Sequence, residues 1–347
     1  MDQRRKLVDD GRSFNYDKEV CKVMTFSEEL KSFEQTHSYS ELTIDGIKTS
    51  YLLCGNKESQ KTLVYLVGGT GFSIAWFKHI QLMEQDYRIL TLEYPIGIEK
   101  MEKLADHVMK LIKELDVQNL VFIGASLGGM LAQVIARRYA ESICGICLYS
   151  TCSLSDSSIR GLKKQYRSYG ILLPVMKVIP YNWIRRMLIN VSKKKIGAQN
   201  GTEEEKAWLD EFFTWVYQSY TKELDIHMTS LMADVPKLKP ITQQEYAAFD
   251  EKSLLILPLN DEAFPEESQQ DLMDMMPRAD VDCLEGGHVA TLYRVEEYVN
   301  KTKLFLTRDS KGEKNTGKSK TLFVNGLGGI YDSDQDLDFS GTKGRCV

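Results

Sequence analysis

The sequence predicts an α/β fold: a mostly parallel, doubly wound sheet with a helical cap insertion. Three observations lead to this prediction. Apolar segments of strand length alternate with helical segments of about 15 residues over 41–152 and again over 251–306. The stretch between them, 153–250, carries aromatic residues at helical spacing and no convincing strand. Glycine-rich turns follow several of the strands, at the sheet edge where ligands bind in such folds.

The composition is that of a globular protein with one large domain and appendages, or with two domains. The chain has 347 residues, 43% of them hydrophobic, and its 44 Lys+Arg against 49 Asp+Glu give a net charge of −5, which argues against nucleic-acid binding. No apolar run is as long as a membrane span, and the charged N-terminus lacks the apolar stretch of a signal peptide. Seven scattered cysteines favour a reduced protein in the cytoplasm.

The chain is expected to open with a leader, 1–40, followed by a β-hairpin. Thr25 and Glu28 have the spacing of a capping box, which predicts a short helix within the leader. Residues 41–53 alternate between apolar and polar and break at Asp45-Gly46, a pair typical of tight hairpin turns.

The first half of the sheet contains a glycine-rich loop. The patterns predict strands at 62–66 and 87–94 and helices at about 74–84 and 98–115. The first of these strands runs into Val67-Gly68-Gly69-Thr70-Gly71. A glycine-rich loop directly after a strand lets backbone N–H groups approach a ligand closely, and an ordinary tight turn is the alternative.

The sharpest predicted turn carries a serine. An apolar strand, 120–123, is followed by Gly124-Ala125-Ser126-Leu127-Gly128 and then by a helical pattern that extends to Tyr139. In this strand–turn–helix arrangement the serine takes a strained backbone conformation, and the residues two before and two after it must be small because strand and helix crowd together. The motif is that of a nucleophile elbow. A further strand is predicted at 143–149.

The insertion, 153–250, is expected to form a helical cap. Helical segments are predicted at 181–191 and 202–220, the second opened by a capping box of Thr202 and Glu205. Their tryptophan, phenylalanine and methionine side chains are sufficient to cover a cleft. A plain helical extension packed elsewhere is the alternative.

The sheet is predicted to resume and the chain to end in a polar tail. Strands are expected at 254–257 and 280–284, and helices at about 266–276 and 289–306. Residues 307–347 are a polar linker and tail with too few apolar residues to fold alone, so we expect them to be disordered or docked. Their alternating aspartates lack the glycine and glutamate of a Ca²⁺ loop.

One histidine has the position of a catalytic base. Of five histidines, His288 alone follows a strand and a Gly-Gly turn near the end of the sheet. A serine hydroxyl needs such a base, and the base needs an orienting carboxylate. His79 and His107 are expected to be partly buried or surface residues within helices, and His227, in the cap, is a candidate for substrate contact.

Asp261 is the predicted orienting acid because it follows the preceding strand. The chain order Ser126, Asp261, His288 then matches the order expected for this arrangement. A loop aspartate that caps the next helix is the alternative reading of Asp261. The adjacent Glu262 could substitute as the acid, and Asp156 is a further alternate.

These motifs together resemble those of the α/β-hydrolase superfamily over roughly 41–306. The matching pieces are Val-Gly-Gly-Thr-Gly (67–71), Gly-Ala-Ser-Leu-Gly-Gly (124–129), Asp-Glu-Ala-Phe-Pro (261–265) and Gly-Gly-His (286–288). Segments 88–95 and 122–133 are similar to one member of the superfamily that is regarded as a binding protein. Val67 departs from the pattern, since many relatives have histidine there; the expected oxyanion donors are backbone groups and do not depend on it.

The resemblance implies a serine hydrolase with a catalytic triad of Ser126, Asp261 and His288. The N–H groups of Gly69 and Leu127 would form its oxyanion hole. We expect cleavage of a carboxylic ester or thioester, with no metal or organic cofactor and a small-molecule substrate bearing an apolar acyl or alkyl group. A C–C hydrolase or acyltransferase on the same fold is one alternative. A non-catalytic binding protein with a protein partner is the other.

Overall fold

The computed structural model describes residues 24–183 and 201–308. Its strands form one eight-stranded sheet of order β1-β2-β4-β3-β5-β6-β7-β8. The strands are β1 Ser40–Ile44, β2 Ile47–Gly55, β3 Thr62–Leu66, β4 Arg88–Leu92, β5 Leu120–Ala125, β6 Ile143–Tyr149, β7 Ser253–Pro258 and β8 Asp280–Leu284. The first two pair antiparallel with each other and β2 pairs antiparallel with β4, whereas β3 to β8 are mutually parallel. The predicted mostly parallel, doubly wound sheet is confirmed.

Helices lie along the chain between the strands and in the described parts of the insertion. They are α1 Phe26–Thr36, α2 Phe77–Met83, α3 Met101–Glu114, α4 Leu127–Tyr139, α5 Asp156–Gln165, α6 Arg167–Val178, α7 Glu203–Ser219, α8 Lys222–Asp234, α9 Gln243–Tyr246, α10 Glu266–Met275, α11 Ala290–Tyr293 and α12 Val295–Arg308. No helix in the described ranges combines the length and the apolar character needed to span a bilayer.

Both faces of the sheet are buried. Along β3, Val64 packs into one apolar cluster and Tyr65 into the other; along β5, Phe122 and Ile123 divide in the same way. A strand that is covered by helices on both faces has to be apolar at every position. This explains why β3 and β5 are continuous apolar segments in the sequence.

The segment before the sheet packs onto the rest of the protein from residue 24 onward. The capping box of Thr25 and Glu28 is present, and it starts α1 as predicted. Phe26 is fully buried and makes edge contacts with Trp208 and Phe212 of α7, at ring-centroid distances of 5.3 and 5.4 Å. The hairpin turn at Asp45-Gly46 has positive φ at both residues, as a type I′ turn requires. Residues 1–23 of the expected leader lie outside the described residues.

Several elements differ from their predicted bounds. The expected final helix is two helices, α11 and α12, which are divided at Arg294, and the helix expected from residue 74 opens as a 3₁₀ turn, Ser73–Trp76. The insertion also contains α5 and α6, which periodicity did not single out. The segment predicted at 181–191 is described only to residue 183, and the tail after residue 308 lies outside the described residues.

Candidate active site

Ser126 lies at the end of β5 in a strained conformation. Its φ of 54° and ψ of −119° fall where L-residues rarely lie. Three hydrogen bonds hold its backbone: its N–H donates to the carbonyl of Tyr149 at 3.0 Å, and its carbonyl accepts from the Met130 N–H at 3.1 Å and the Thr151 hydroxyl at 2.9 Å. The surrounding structure therefore maintains a backbone conformation that an isolated serine would leave.

Two glycines allow this turn because strand and helix backbones nearly touch. A Cβ at Gly124 would lie 2.3 Å from the carbonyl oxygen of Gly128. A Cβ at Gly128 would lie 2.3 Å from the carbonyl oxygen of Leu66, the last residue of β3. Both distances are far inside van der Waals contact, so the turn requires glycine at both positions.

The structure brings Ser126, His288 and Asp261 into one hydrogen-bonded chain. His288 Nε2 lies 3.0 Å from Ser126 Oγ, and Nδ1 lies 3.0 and 3.1 Å from the two carboxylate oxygens of Asp261. When Nδ1–H donates to Asp261, the neutral ring keeps its lone pair on Nε2, facing the serine hydroxyl. That orientation lets the imidazole accept the hydroxyl proton.

The loop after β7 fixes Asp261. Its side chain is fully buried, and Oδ1 also accepts hydrogen bonds from the N–H groups of Ala263 and Phe264, both at 2.8 Å. These bonds close a turn within the loop. The following helix, α10, has Pro265 as its N-cap residue. Asp261 therefore both orders its own loop and contacts His288, and it does not cap the helix.

The other carboxylates considered from the sequence lie elsewhere. Glu262 Oε2 accepts a hydrogen bond from the backbone N–H of His288 at 3.0 Å, so it contacts the main chain and not the imidazole. Asp156 is in the first turn of α5, where it is exposed and ion-paired with Arg160.

Three other histidines are buried at positions separate from the Ser126 site. His79 and His107 were expected to be partly buried or at the surface; they are only 1% and 5% exposed. His79 packs against Trp76 and Tyr65, and burial lowers its pKa to about 3. The ring of His107 bonds to the Thr49 hydroxyl at 2.7 Å. His227 is buried in the cap and is not among the residues that line the cleft beside Ser126.

The glycine-rich loop lines the same cleft as His288. β3 lies between β4 and β5, so the chain winds in opposite directions on either side of it, and both β3 and β5 end at this cleft. In the loop, the Gly71 N–H donates to the Gly68 carbonyl at 3.1 Å. Gly69 lines the cleft, and Leu127 is the first residue of α4, where amides have no acceptor within the helix.

A tyrosine from the insertion tethers this loop. The Tyr220 hydroxyl lies 2.6 Å from the Thr70 carbonyl oxygen and 3.2 Å from that of Gly69. On the other side, the Tyr94 hydroxyl donates to the Val67 carbonyl at 2.9 Å. The orientation of the loop amides is therefore set by side chains that its own sequence does not reveal.

A cavity of about 400 Å³ lies over Ser126, between the sheet and the insertion. Its wall is largely apolar, with contributions from α6 and α7 such as Leu172, Met176, Phe213 and Tyr217. Asp225 of α8 is a buried exception: burial raises its pKa to about 6. Helices of the insertion therefore form much of the cavity wall, and Ser126 beneath it remains partly exposed.

Among the described residues, one group has the donor atoms of a metal site, namely His37, Cys54 and Glu84, whose donor atoms lie within 4.8 Å of one another. His37 Nε2 is 2.7 Å from Glu84 Oε2, and burial raises the pKa of the Cys54 thiol to about 12. His37 and Glu84 therefore pair with each other, and β2, which carries Cys54, lies three places from β5 in the sheet. The group is separate from the serine site.

Comparisons with known sequences match part of the chain. Residues 77–144 match an uncharacterised protein family (UPF0227). Maspardin from Homo sapiens is 32% identical over 106 residues, which are 30% of this chain and 34% of that protein. Maspardin from Danio rerio is 31% identical over 106 residues, with the same coverage of 30% and 34%. The chain therefore aligns with about a third of the length of these relatives.

Solved structures match most of the chain. An α/β hydrolase from a deep-sea metagenome library superposes with a TM-score of 0.64 at 15% identity, covering 81% of this chain and 100% of that one. The enol-lactonase from Burkholderia xenovorans gives a TM-score of 0.60 at 17% identity, covering 77% and 100%. A thermophilic esterase from Thermogutta terrifontis gives 0.60 at 15% identity, covering 78% and 98%. The chain therefore has the α/β-hydrolase fold, as the sequence predicts.

Proposed function

We propose that the protein is a serine hydrolase that cleaves a carboxylic ester or thioester through an acyl-enzyme. The observation that carries the proposal is the hydrogen-bonded chain from Ser126 through His288 to Asp261, which opens into an apolar cavity. An imidazole that is held by a buried carboxylate and faces a strained, partly exposed serine is an arrangement suited to nucleophilic catalysis.

In the proposed first step, His288 Nε2 accepts the proton of Ser126 as Oγ attacks the carbonyl carbon of the substrate. The negative charge on the carbonyl oxygen is met by the N–H groups of Leu127 and Gly69, and the positive end of the α4 dipole adds to this stabilisation. The bond from the carbonyl carbon to the leaving oxygen or sulfur then breaks, and His288 returns its proton to the leaving group. Ser126 is left acylated.

In the second step, His288 accepts a proton from water as the water attacks the acyl-enzyme. The same two amides hold the second oxyanion. As this intermediate collapses, the bond from the carbonyl carbon to Oγ breaks and His288 returns the proton to Oγ, which releases the acid and restores Ser126. Asp261 stabilises the imidazolium that forms in both steps. No step in this scheme uses a metal or an organic cofactor.

The cavity suggests the substrate class. About 400 Å³ of largely apolar space accommodates a small molecule, and the walls from α6 and α7 suit an apolar acyl or alkyl group. A cytoplasmic location, which the scattered cysteines favour, belongs to the same proposal.

Steady-state hydrolysis of p-nitrophenyl esters and matched thioesters, with two to eight acyl carbons, tests the proposal. We expect turnover by the native protein, and we expect the rate of hydrolysis to be at least 10³-fold lower in Ser126→Ala and in His288→Ala. Acyl transfer to an added alcohol or amine in preference to water would identify an acyltransferase, and cleavage of a 1,3-diketone alone would identify a C–C hydrolase. A folded native protein that acts on none of these substrates would contradict catalysis and favour a binding protein.

A further inference from the structure

The wall of the cavity carries one carboxylate that the proposed reaction does not use. Asp225 lies near the start of α8, and Thr229, one turn later on the same face, also lines the cavity. Asp225 is only 7% exposed, yet its Oδ2 atom has no hydrogen-bond partner within the described part of the chain. A buried polar atom without a partner is uncommon in folded proteins and calls for a specific explanation.

Within 24–183 and 201–308, no lysine or arginine contributes to the cavity wall beside this carboxylate. The imidazole of His288, which also lines the cavity, is already paired with Asp261. Burial raises the pKa of Asp225 to about 6, so the carboxylate is still mostly ionised at pH 7.5. The cavity wall therefore holds a largely desolvated negative charge, and a ligand of opposite charge would neutralise it.

The surrounding side chains also suit a cation. Phe213, Tyr217 and Tyr220 contribute aromatic rings to the same cavity. The faces of such rings attract ammonium groups, most strongly where water is excluded. The Tyr220 hydroxyl is bonded to the loop carbonyls, so it leaves Asp225 available as an acceptor.

We propose that Asp225 binds an ammonium group at the end of the substrate remote from the scissile bond. The preferred substrates are then esters or thioesters whose acyl or alcohol part is apolar along its length and ends in a cationic nitrogen. This inference rests on the proposed hydrolase function for the ester, whereas binding of the cation requires no turnover.

Pairs of isosteric esters test the charge directly. In one pair the acyl group ends in trimethylammonium or in tert-butyl: p-nitrophenyl 4-(trimethylammonio)butanoate and p-nitrophenyl 5,5-dimethylhexanoate. In the other pair the alcohol differs in the same way: the 2-(trimethylammonio)ethyl and 3,3-dimethylbutyl esters of hexanoic acid. We expect kcat/KM to be at least tenfold higher for the cation in one pair or the other. Asp225→Asn, which keeps the shape of the side chain, is expected to bring that ratio close to one.

Glu223→Gln is the matched control, because Glu223 is an exposed acid on the same helix. It removes one negative charge from the cap without altering the cavity, so the preference for the cation is expected to persist in this variant. The inference is overturned if the native protein shows no preference in either pair, or if Asp225→Asn retains it. Equal loss in Glu223→Gln would assign the preference to the general charge of the cap and would also overturn it.

A binding measurement separates this inference from the proposed hydrolase function. Hexyltrimethylammonium is titrated calorimetrically into Ser126→Ala and into Ser126→Ala combined with Asp225→Asn. We expect binding at least tenfold weaker in the double variant. Such binding together with no ester turnover by the native protein would support the cation site while contradicting the hydrolase proposal. Ester turnover by the native protein together with equal binding by the two variants would support the hydrolase proposal while contradicting the cation site.

Discussion

The carboxylate of Glu262 accepts a hydrogen bond from the backbone N–H of His288 at 3.0 Å, whereas the adjacent Asp261 contacts the imidazole of the same residue. Two consecutive acids therefore hold one histidine in two different ways. Gly287 makes this possible, because a Cβ at that position would lie 2.7 Å from Glu262 Oε2. Asp261 orients the ring, and Glu262 positions the main chain that carries it.

Exchanging each acid for its amide should separate these two roles. Asp261→Asn is expected to lower kcat by about 10³- to 10⁴-fold, because an amide group facing Nδ1 favours the wrong tautomer. Glu262→Gln keeps an acceptor for the His288 N–H, and kcat is expected to change less than about tenfold, since a neutral acceptor weakens the bond without removing it. Steady-state kinetics on a p-nitrophenyl ester, with thermal melts as a folding control, measures both. A larger loss of kcat in Glu262→Gln than in Asp261→Asn would contradict the roles assigned to the two acids.

The hydroxyl of Tyr220 should matter for turnover more than for binding. Tyr220→Phe removes the tether to the carbonyls of Gly69 and Thr70 while keeping the aromatic ring. Loss of a whole oxyanion donor costs about 10²- to 10³-fold, so a misplaced donor is expected to lower kcat by roughly tenfold with little change in KM. Tyr169→Phe removes another hydroxyl at the cavity wall and serves as the control. Equal effects of the two variants on kcat would rule out a specific role for the tether.

Alanine at the two glycines of the serine turn should disrupt the fold locally. In Gly124→Ala or Gly128→Ala the new methyl group would lie 2.3 Å from a backbone oxygen, and the free energy of unfolding is expected to fall by about 2 to 3 kcal/mol or more. Gly161→Ala is the opposite case. It lies within α5, nothing is within 4 Å of the added methyl group, and the change is expected to stabilise the protein by roughly 0.5 to 1 kcal/mol. Urea denaturation measures all three.

Asp225→Asn should stabilise the protein in a pH-dependent way. Burial raises the folded-state pKa of Asp225 to about 6, above an unfolded value of about 3.9, so the folded state binds more protons between these values. The native protein therefore loses stability as pH rises from about 4 to 6. Above pH 6 the full destabilisation by the ionised Asp225 side chain is present. The two pKa values differ by about two units, so the variant is expected to gain roughly 2 to 3 kcal/mol over the native protein at pH 7.5.

Comparing the two proteins at each pH isolates this carboxylate from the other titrating groups. The gain in the free energy of unfolding that Asp225→Asn shows over the native protein should shrink toward zero at pH 4. A gain in the free energy of unfolding that is independent of pH would show that burial does not perturb Asp225.

Much of the parallel sheet could be predicted from the sequence because both of its faces are buried. Segments such as 62–66 and 143–149 are apolar at nearly every position, and their observed bounds equal the predicted ones. The turn at Ser126 was equally clear, since only small residues fit where β5 meets α4. Close packing of backbones leaves a strong signal in the sequence.

Other features depend on contacts that are remote in sequence. His79 lies in a short helix whose pattern gives no indication of burial, and it is buried because Tyr65 and Trp76 pack over it. Tyr220 and Asp225 acquire their roles from the way the insertion folds over the sheet, which periodicity does not determine. α5 carries few apolar residues and begins with a serine cap, so its pattern is weak in the sequence even though Ile159 and Leu162 are buried.

The central claim is that His288 activates Ser126, and labelling by a fluorophosphonate probe tests it most directly. Such a probe phosphonylates a serine whose proton is taken by a neighbouring base. We predict stoichiometric labelling of the native protein at Ser126, located by peptide mass spectrometry, and its loss in both Ser126→Ala and His288→Ala. A folded native protein that stays unlabelled, or labelling that persists in His288→Ala at the native rate, would contradict the account.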